Sequence, residues 1–379
     1  MAAGKLSLLL LPLYLCANES FEQFKQQQDQ SFKQEKLQFI DFKKAQDKAF
    51  KEHMAKEKSA IAAYRKKLKV FWPEADLGNA KKLVSYSKDL KTQSIIDFQH
   101  NEIKISTLSS DEMSAKKQLL DTLQKTLELD NTQAFDENEL EQDIDSISKA
   151  SKYVKRSDLD SQKLIKTPFS KKTIKAQDIT LLKKKDSYQV IYKLPKNSTY
   201  QRSANYLVSA KSNAQRFRLQ PHWLLAIMHS ESSFNPMARS WVPAYGLMQI
   251  VPRTAGIDSY YFLYKKRRLL SASYLYNTKN NIETGSAYFH ILYYKYLSAI
   301  KDPTSRLYCA IAGYNTGAGN VARAFVGTNS VKKAANLINK MSPQQVYEHL
   351  LRKLPHDETR HYLKNVHTRS QKYQTLYKL

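Results

Sequence analysis

Residues 18–69 contain neither proline nor glycine, and this absence constrains the fold more than any other feature of the chain. Between Phe24 and Tyr64 the apolar residues recur at helical spacing over about eleven turns, so one long amphipathic helix is expected. Its apolar stripe is thin, which favours a spacer arm; a coiled coil or a surface-lying helix is the alternative. The stripe consists of Phe24, Phe32, Phe39, Phe42, Phe50, Met54, Ile61 and Tyr64.

Residues 70–195 are predicted to form a small α+β domain. Trp72-Pro73 ends the long helix, because the residue before proline avoids the helical region. Period-two alternation on both sides of a short polar turn predicts a β-hairpin. The stretch 130–186 is charged and poor in aromatic residues, which predicts a loop or insertion. The other predicted elements are hairpin strands at 94–98 and 102–106, a helix at 111–129 with Met113 on its apolar side, and a strand at 188–194.

Residues 196–379 are predicted to form an all-α domain. The apolar period is helical from Thr199 onward, Gln220-Pro221 opens a helix with proline in its first turn, and no strand candidate follows residue 200. The fold class is therefore α+β, with an all-α C-terminal domain preceded by a small α+β domain and a long N-terminal helix. Further helices are predicted near 281–298, 303–313, 317–326 and 343–352.

One glutamate stands out in this helical region. Glu231 follows Leu224, Ile227 and Met228 at the spacing of a single helical face. A carboxyl group on an apolar face needs a partner or stays protonated, because burying charge is costly. A glutamate that is protonated near neutral pH is what general-acid cleavage of a glycosidic bond requires.

The N-terminus reads as an export signal covering residues 1–17. Lys5 precedes an apolar run, residues 6–15, that is too short for a membrane span of about 20 residues. Cys16 follows at once, in a context that resembles the lipobox of bacterial lipoproteins, except that Leu15 replaces the usual small residue. Two outcomes are open: lipidation of Cys16 with anchoring at the outer membrane, or cleavage after Ala17 and release into the periplasm.

The charge balance predicts an anionic partner. The chain has 61 Lys and Arg against 35 Asp and Glu, a net charge of +26. The sequence lacks a nucleic-acid recognition motif, and the export signal argues against a DNA-binding protein. A cell wall with free carboxylates or an anionic leaflet explains the charge. Cys309 has no cysteine to pair with if Cys16 is lipidated or removed, so it is interpreted as a small buried hydrophobe.

Four blocks of sequence follow one another between residues 200 and 370. They are ESSFNP at 231–236 with Ala238, Ser240 and GLMQ at 246–249; NIETG at 281–285; AGYNTGAG at 312–319; and ETRHYLKNV at 358–366. In this order they resemble the SLT domain of the lytic transglycosylase family. The hairpin unit resembles the N-terminal domain of membrane-bound members, through Phe71-Trp72, Tyr86, Asp97-Phe98 and EIKI at 102–105.

The resemblance implies a lysozyme-like catalytic domain that cleaves peptidoglycan between N-acetylmuramic acid and N-acetylglucosamine. Glu231 would protonate the leaving oxygen and then deprotonate the muramoyl 6-hydroxyl, which leaves a 1,6-anhydro end. No metal and no cofactor is implied. Retaining glycosidases use a second carboxylate about 5 Å away. None lies inside the motif, which fits assistance by the substrate N-acetyl group, although Glu283 or Asp258 could fold nearby.

The resemblance also implies a set of substrate contacts around Glu231. Hydroxyl and amide side chains suit sugar hydroxyls, and Tyr314 is placed to hydrogen-bond Glu231. Ordinary packing is the alternative for each, most of all for Met248. Trp241 stands where the family often has a small or polar residue, which reshapes a glycan subsite. The expected substrate-binding residues are Ser240, Met248, Gln249, Tyr314, Asn315 and Tyr362.

Two other functions remain open at this point. A goose-type lysozyme would hydrolyse the same bond on the same fold and release reducing ends. A non-catalytic scaffold would bind the wall through residues 18–195 and use the helical domain only to hold sugar. The intact motif around Glu231 argues against the scaffold.

Overall fold

The computed structural model describes residues 10–149, 159, 161–165, 180–184 and 186–379. The chain divides into two units, Met1–Lys56 and Glu57–Leu379, and the boundary falls inside helix α1, Leu10–Lys69. The helix predicted at 18–69 is confirmed. Cys16 lies within α1, whereas residues 1–9 of the predicted export signal lie outside the described residues. Of the helices that the structure describes, none is apolar over enough length to cross a bilayer.

A five-stranded antiparallel sheet follows α1, with strand order β1-β2-β3-β5-β4. The predicted hairpin is confirmed as β2 and β3, which pair from Asp97 opposite Glu102 outward. Strand β5 then pairs with β3 and places Lys193 opposite Glu102. Strand β1, which the pattern analysis did not identify, covers the other edge of β2. The strands are β1 Lys82–Tyr86, β2 Thr92–Asp97, β3 Glu102–Thr107, β4 Thr180–Lys184 and β5 Ser187–Lys193.

Among the described residues between β3 and β4 there are three helices: α2 Glu112–Glu128, α3 Asn131–Asp136 and α4 Glu139–Lys149. Of the two alternatives predicted for 130–186, a loop or an insertion, the loop is wrong in the described part, because α3, α4 and β4 all fall there. Helix α3 starts with a capping box between Asp130 and Gln133, a local polar signal that an apolar-period search passes over. Helix α2 is as predicted except that Met113 is 82% exposed, so it does not belong to the apolar side.

From residue 198 to the end the described chain is helical, with isolated bridges in place of strands. The four predicted helices correspond to α10, α11, α12 and α14, but the first of them ends at Ile291 and continues as a π-helical turn, Leu292–Tyr296. A second π-helical turn, Pro252–Gly256, precedes α8. The helices are α5 Ser198–Ala204, α6 Leu207–Phe217, α7 Pro221–Ser232, α8 Ile257–Tyr264, α9 Ala272–Tyr276, α10 Thr278–Ile291, α11 Pro303–Thr316, α12 Ala318–Val326, α13 Val331–Ile338, α14 Pro343–Lys353 and α15 Asp357–Tyr377.

Buried Arg202 joins the sheet to the helical region. Its guanidinium donates to the Phe98 carbonyl at 2.7 Å and to Asn101 Oδ1 at 3.0 Å, both in the β2–β3 turn. It also donates to the Ser233 carbonyl, at the end of α7, at 3.3 Å. Burial lowers the pKa of Arg202 to about 10, so the group stays charged at neutral pH and its hydrogen bonds are charge-assisted. The sheet is thereby fixed to the helix that carries Glu231.

A second charged cluster fixes the chain that follows α7. Arg239 Nε donates to Glu141 Oε1 at 2.8 Å, and Arg239 Nη1 lies 3.7 Å from Glu57 Oε1. Tyr276 donates to the other Glu141 oxygen at 2.7 Å, and Tyr245 donates to Glu57 at 3.2 Å. These buried charges are therefore paired and hydrogen-bonded, which is the condition for burying them without a large penalty.

Candidate active site

Glu231 stands in the last turn of α7. The helix begins at Pro221, as predicted, and ends where Ser233 and Phe234 adopt left-handed conformations with φ of 52° and 64°. Leu224, Ile227 and Met228 are fully buried along the same face. This packing places the Glu231 carboxyl within the protein while the residue as a whole keeps some solvent exposure.

The surroundings of Glu231 make it a weak acid. Burial raises its pKa to about 7, and this effect outweighs the hydroxyl of Tyr362 and the positive charge of Lys81, which both lower it. The negative charge of Glu358 raises it further. A carboxyl with this pKa is about half protonated at pH 7, so it can donate a proton and later take one back at the same pH.

Tyr362 and Glu358 both come from α15, which lies beside α7. The Tyr362 side chain is 8% exposed, and burial together with the charge of Glu231 raises its pKa, so it remains a hydroxyl donor. The Tyr362 hydroxyl has no well-aligned hydrogen-bond partner among the described residues. Its contact with Glu231 is therefore looser than a full hydrogen bond. Tyr362 therefore places its hydroxyl towards the Glu231 carboxyl, and its predicted contact with substrate stays a prediction.

Tyr314 and Asn315 lie at the end of α11. The expected hydrogen bond from Tyr314 to Glu231 is corrected by the structure, since the Tyr314 hydroxyl donates to the Met248 carbonyl at 2.9 Å. Its pKa is nevertheless raised, first by burial and then by the charge of Glu231, so the two side chains are neighbours. Asn315 Oδ1 accepts a hydrogen bond from Thr359 at 2.7 Å.

The segment 246–249 forms the floor beside Tyr314. Gly246 has φ of 72°, and a Cβ there would lie 2.3 Å from Asn281 Nδ2, so this position requires glycine. The Met248 side chain is fully buried, which agrees with the packing alternative given for it, and its contact with sugar stays a prediction. Gln249 Nε2 donates to the carbonyls of Ala238 and Gly246, both at 3.1 Å.

Gln249, Tyr314 and Asn315 line a cavity of about 260 Å³. Its other walls come from the π-helical turn before α8 and from Tyr288 on α10. Three residues that the sequence placed in one site are therefore brought together here. The opening holds amide, hydroxyl and aromatic groups, the mixture that a sugar-binding pocket needs.

Ser240 lies in a different cavity, of about 300 Å³. Its hydroxyl donates to the Val242 carbonyl rather than to Glu231. The opposite wall comes from the sheet domain and includes Lys81, whose charge acts on Glu231. Trp241 completes the lining and is 80% exposed.

Lys81 is the site residue that the sequence analysis missed. It precedes β1, and its half-buried side chain has its pKa lowered by burial and by Arg369, while Glu231 and Glu358 act in the opposite direction. Nothing in the local pattern of 79–82 points to an active site 150 residues downstream. Tertiary structure brings the two charges together: Asn235, which follows α7, donates its side-chain amide to the carbonyl of Ala80, next to Lys81, at 3.3 Å.

The other carboxylates left open by the sequence are engaged elsewhere. Glu283 pairs with Arg216 and accepts a hydrogen bond from Tyr264. Asp258 accepts from Tyr296 at 2.9 Å. Cys309 is fully buried, and burial raises the pKa of its thiol, as expected of a packing residue. Within the part of the chain that the structure describes, no group of three metal-ligating side chains is present.

Comparisons with known proteins agree with this geometry. The family model described as Transglycosylase SLT domain matches residues 209–337. Membrane-bound lytic murein transglycosylase C of Serratia proteamaculans is 32% identical over 312 residues, which cover 79% of this chain and 84% of the relative. The protein of the same description from Klebsiella pneumoniae is 41% identical over 186 residues, 49% of this chain and 51% of the relative.

Among solved structures, the 70 kDa soluble lytic transglycosylase of Escherichia coli is 24% identical, with a TM-score of 0.36 over 45% of this chain and 24% of the other. The likeness to the Serratia protein extends over most of both sequences and includes the sheet domain as well as the SLT domain. The chain therefore belongs to the lytic transglycosylase family, enzymes that act on peptidoglycan.

Proposed function

We propose that the protein cleaves the β-1,4 bond between N-acetylmuramic acid and N-acetylglucosamine without adding water, and that Glu231 alone acts as acid and then as base. The observation that supports the acid role is the burial of the Glu231 carboxyl in the last turn of α7, which raises its pKa to about 7. A carboxyl with an ordinary pKa would be ionised at neutral pH and could not donate the first proton.

In the first step Glu231 donates its proton to the glycosidic oxygen while the bond from the muramoyl C1 to that oxygen breaks. The N-acetyl carbonyl of the same sugar supports the positive charge that develops at C1. In the second step the Glu231 carboxylate removes the proton of the muramoyl 6-hydroxyl, whose oxygen forms the new bond to C1. Glu231 ends protonated, and the product carries a 1,6-anhydro ring.

The glycan strand is held by two cavities, each of which contains a residue that interacts electrostatically with Glu231, Lys81 in one and Tyr314 in the other. Gln249, Tyr314 and Asn315 contact the sugar in one of them, and Ser240 contacts it in the other. Gln249 uses its amide nitrogen internally, which leaves its side-chain carbonyl oxygen to accept from a sugar hydroxyl. Tyr362 holds the ionised carboxylate between the two steps by donating its hydroxyl to Glu231.

The role of Glu231 is tested by Glu231→Gln, which keeps the shape of the side chain and removes its acid. Release of soluble fragments from purified sacculi should fall by about 100-fold or more, since general acid–base catalysis contributes that much. The matched control is Glu283→Gln, because that carboxylate pairs with Arg216 rather than facing Glu231. Retention of more than about a tenth of wild-type activity in Glu231→Gln would exclude the acid–base role.

Hydrolysis is the second candidate, and one observation favours it. Glu358 is a second carboxylate whose charge reaches Glu231, and an ionised carboxylate beside the acid could activate water. In that case Glu358→Gln would abolish activity and the wild-type products would have reducing muramic ends. For the transglycosylase, Glu358→Gln should retain activity and lower the pKa of Glu231, because a negative charge has been removed.

We also propose how the rest of the chain serves this activity. Residues 1–17 are an export signal, 18–69 a helical spacer, 70–195 the family's N-terminal α+β domain and 196–379 the SLT domain. Relatives described as membrane-bound support an anchor, and Cys16 is the residue proposed to carry the lipid. Cys16→Ser should move the protein from the membrane fraction to the soluble periplasm. A mature N-terminus at Asn18 would exclude the anchor.

A further inference from the structure

The sheet domain has a large open cavity next to the proposed glycan site. It has a volume of about 670 Å³ and lies at the end of the sheet where β2 turns into β3 and β5 ends. It shares Lys82, Asp97 and His100 with the smaller cavity that contains Ser240 and Trp241. The two cavities therefore adjoin each other, and we call the larger one the lysine groove.

The charges of the lysine groove are unequal. Its walls carry Lys82, Lys104, Lys193 and Lys196 against two carboxylates, Asp97 and Glu102. Both carboxylates already have partners. Asp97 accepts from His100 at 2.9 Å and lies 3.7 Å from Lys82, and Glu102 lies 2.7 Å from Lys104.

This pairing leaves two of the four lysines of the groove, Lys193 and Lys196. Neither Lys193 nor Lys196 lies within ion-pair distance of a carboxylate in the described part of the chain, although Glu102 is opposite Lys193 in the sheet. Both side chains are exposed at the mouth of the groove. A ligand with carboxylates could therefore bind both ammonium groups without displacing an existing ion pair.

We propose that the lysine groove binds the acidic stem peptide of the muramic acid residue held in the Ser240 cavity. This inference rests on the proposed function and adds a second recognition element to it. The stem peptide branches from muramic acid through its lactyl group and carries the carboxylates of D-glutamate and of the residues that follow. Three extended residues reach about 10 Å, and the two cavities share three lining residues, so a short peptide suits this arrangement.

The mixed charge of the groove favours a peptide over a nucleic acid or a lipid surface. A polyphosphate would meet Asp97 and Glu102 as well as the lysines, and like charges repel. A stem peptide presents a small number of separate carboxylates, which suit Lys193 and Lys196 and leave the ion pairs of Asp97 and Glu102 in place. The groove is also concave, which fits a branch better than a flat membrane.

The test compares two substrates that differ only in the peptide. Uncrosslinked glycan chains are used with their stem peptides, or after an amidase has removed the peptides. The double variant Lys193→Glu/Lys196→Glu should lose about tenfold in kcat/KM on the peptide-bearing chains, since each exposed ion pair contributes a factor of about two to five. On the stripped chains it should match the wild type, which also verifies that the variant is folded.

Two further variants complete the design. Lys332→Glu/Lys333→Glu on α13 makes the same charge change away from the groove and should behave as the wild type on both substrates. Lys193→Arg/Lys196→Arg should restore the preference for peptide. An equal loss on both substrates, or no loss on the peptide-bearing chains, would overturn the proposal.

Binding gives an answer that does not depend on turnover. Glu231→Gln should bind the free stem tripeptide L-alanyl-γ-D-glutamyl-diaminopimelate in a calorimetric titration, and the two charge reversals in the same background should weaken that binding by about tenfold. Equal binding by both proteins would count against the groove. Failure of the proposed reaction would look different, because wild-type enzyme would then leave reducing ends on both kinds of chain.

Discussion

Gly285 lies in the interior of α10 against the floor of the active site, and replacing it with alanine has a calculable effect. The new Cβ would lie 2.5 Å from Met248 Sδ and 2.9 Å from Met248 Cβ. The sulfur can rotate away, but the Cβ can move only with the main chain. The amide of Met248 donates to Asn281 at 2.8 Å and its carbonyl accepts from Tyr314 at 2.9 Å, so both bonds oppose the shift.

The expected change in the free energy of unfolding follows from two opposing effects. Overpacking costs about 1–3 kcal/mol, and exchanging glycine for alanine inside a helix returns roughly 1 kcal/mol. Gly285→Ala should therefore lower the free energy of unfolding by about 0–2 kcal/mol and reduce turnover, because Tyr314 moves with Met248. Gly313→Ala is the matched control, since its Cβ would meet its nearest atom, Leu292 Cδ2, at 3.6 Å, an ordinary contact.

Exchanging glycine for alanine changes the helix propensity by a similar amount in both variants. The difference between their free energies of unfolding therefore measures the steric clash of the new Cβ with Met248. Urea unfolding followed by circular dichroism should place Gly285→Ala about 1–3 kcal/mol below Gly313→Ala. Fragment release from sacculi should be reduced in Gly285→Ala. Equal stability of the two variants, with unchanged turnover, would refute the described packing of α10 on the active-site floor.

Two more substitutions test how the sheet domain serves the site. Lys81→Met removes a positive charge and should raise the pKa of Glu231, so the acid stays protonated to higher pH. The alkaline limb of the pH profile of kcat/KM on peptide-free glycan should therefore move to higher pH. Lys82→Met is the control, and an unchanged limb in Lys81→Met would exclude the coupling. Arg202→Met should lower the free energy of unfolding by about 3 kcal/mol, since buried carbonyls lose a charged donor. Thermal melts measure this, with Arg352→Met at an exposed position as the control. Equal melting temperatures of the two variants would show that the Arg202 link between the sheet and α7 is dispensable.

Local patterns predicted most of the elements, for reasons that differ between the two domains. Alternation and turn residues identified the β2–β3 hairpin, and Gln220-Pro221 located the start of α7. Strand β1 and the short helices α3 and α4 were missed, because their signals are polar caps and cross-strand pairing. A window that searches for apolar periods does not detect either signal.

The candidate site was predictable where its residues share one motif and not where folding assembles it. The apolar face before Glu231 predicted a buried carboxyl, and its pKa is raised accordingly. The sequence could not show whether Tyr314 or Tyr362 places its hydroxyl towards the Glu231 carboxyl, because that depends on how α11 and α15 pack. Lys81 lies in another domain and is recognisable only from tertiary structure.

The central claim is that the muramoyl C1 forms its new bond to the oxygen of its own 6-hydroxyl rather than to the oxygen of a water molecule. Digesting sacculi with the wild-type enzyme in H₂¹⁸O and identifying the muropeptide ends by mass spectrometry tests it directly. The account predicts 1,6-anhydromuramic ends without ¹⁸O, and their loss in Glu231→Gln. Reducing muramic ends that carry ¹⁸O would contradict the account and identify the enzyme as a hydrolase.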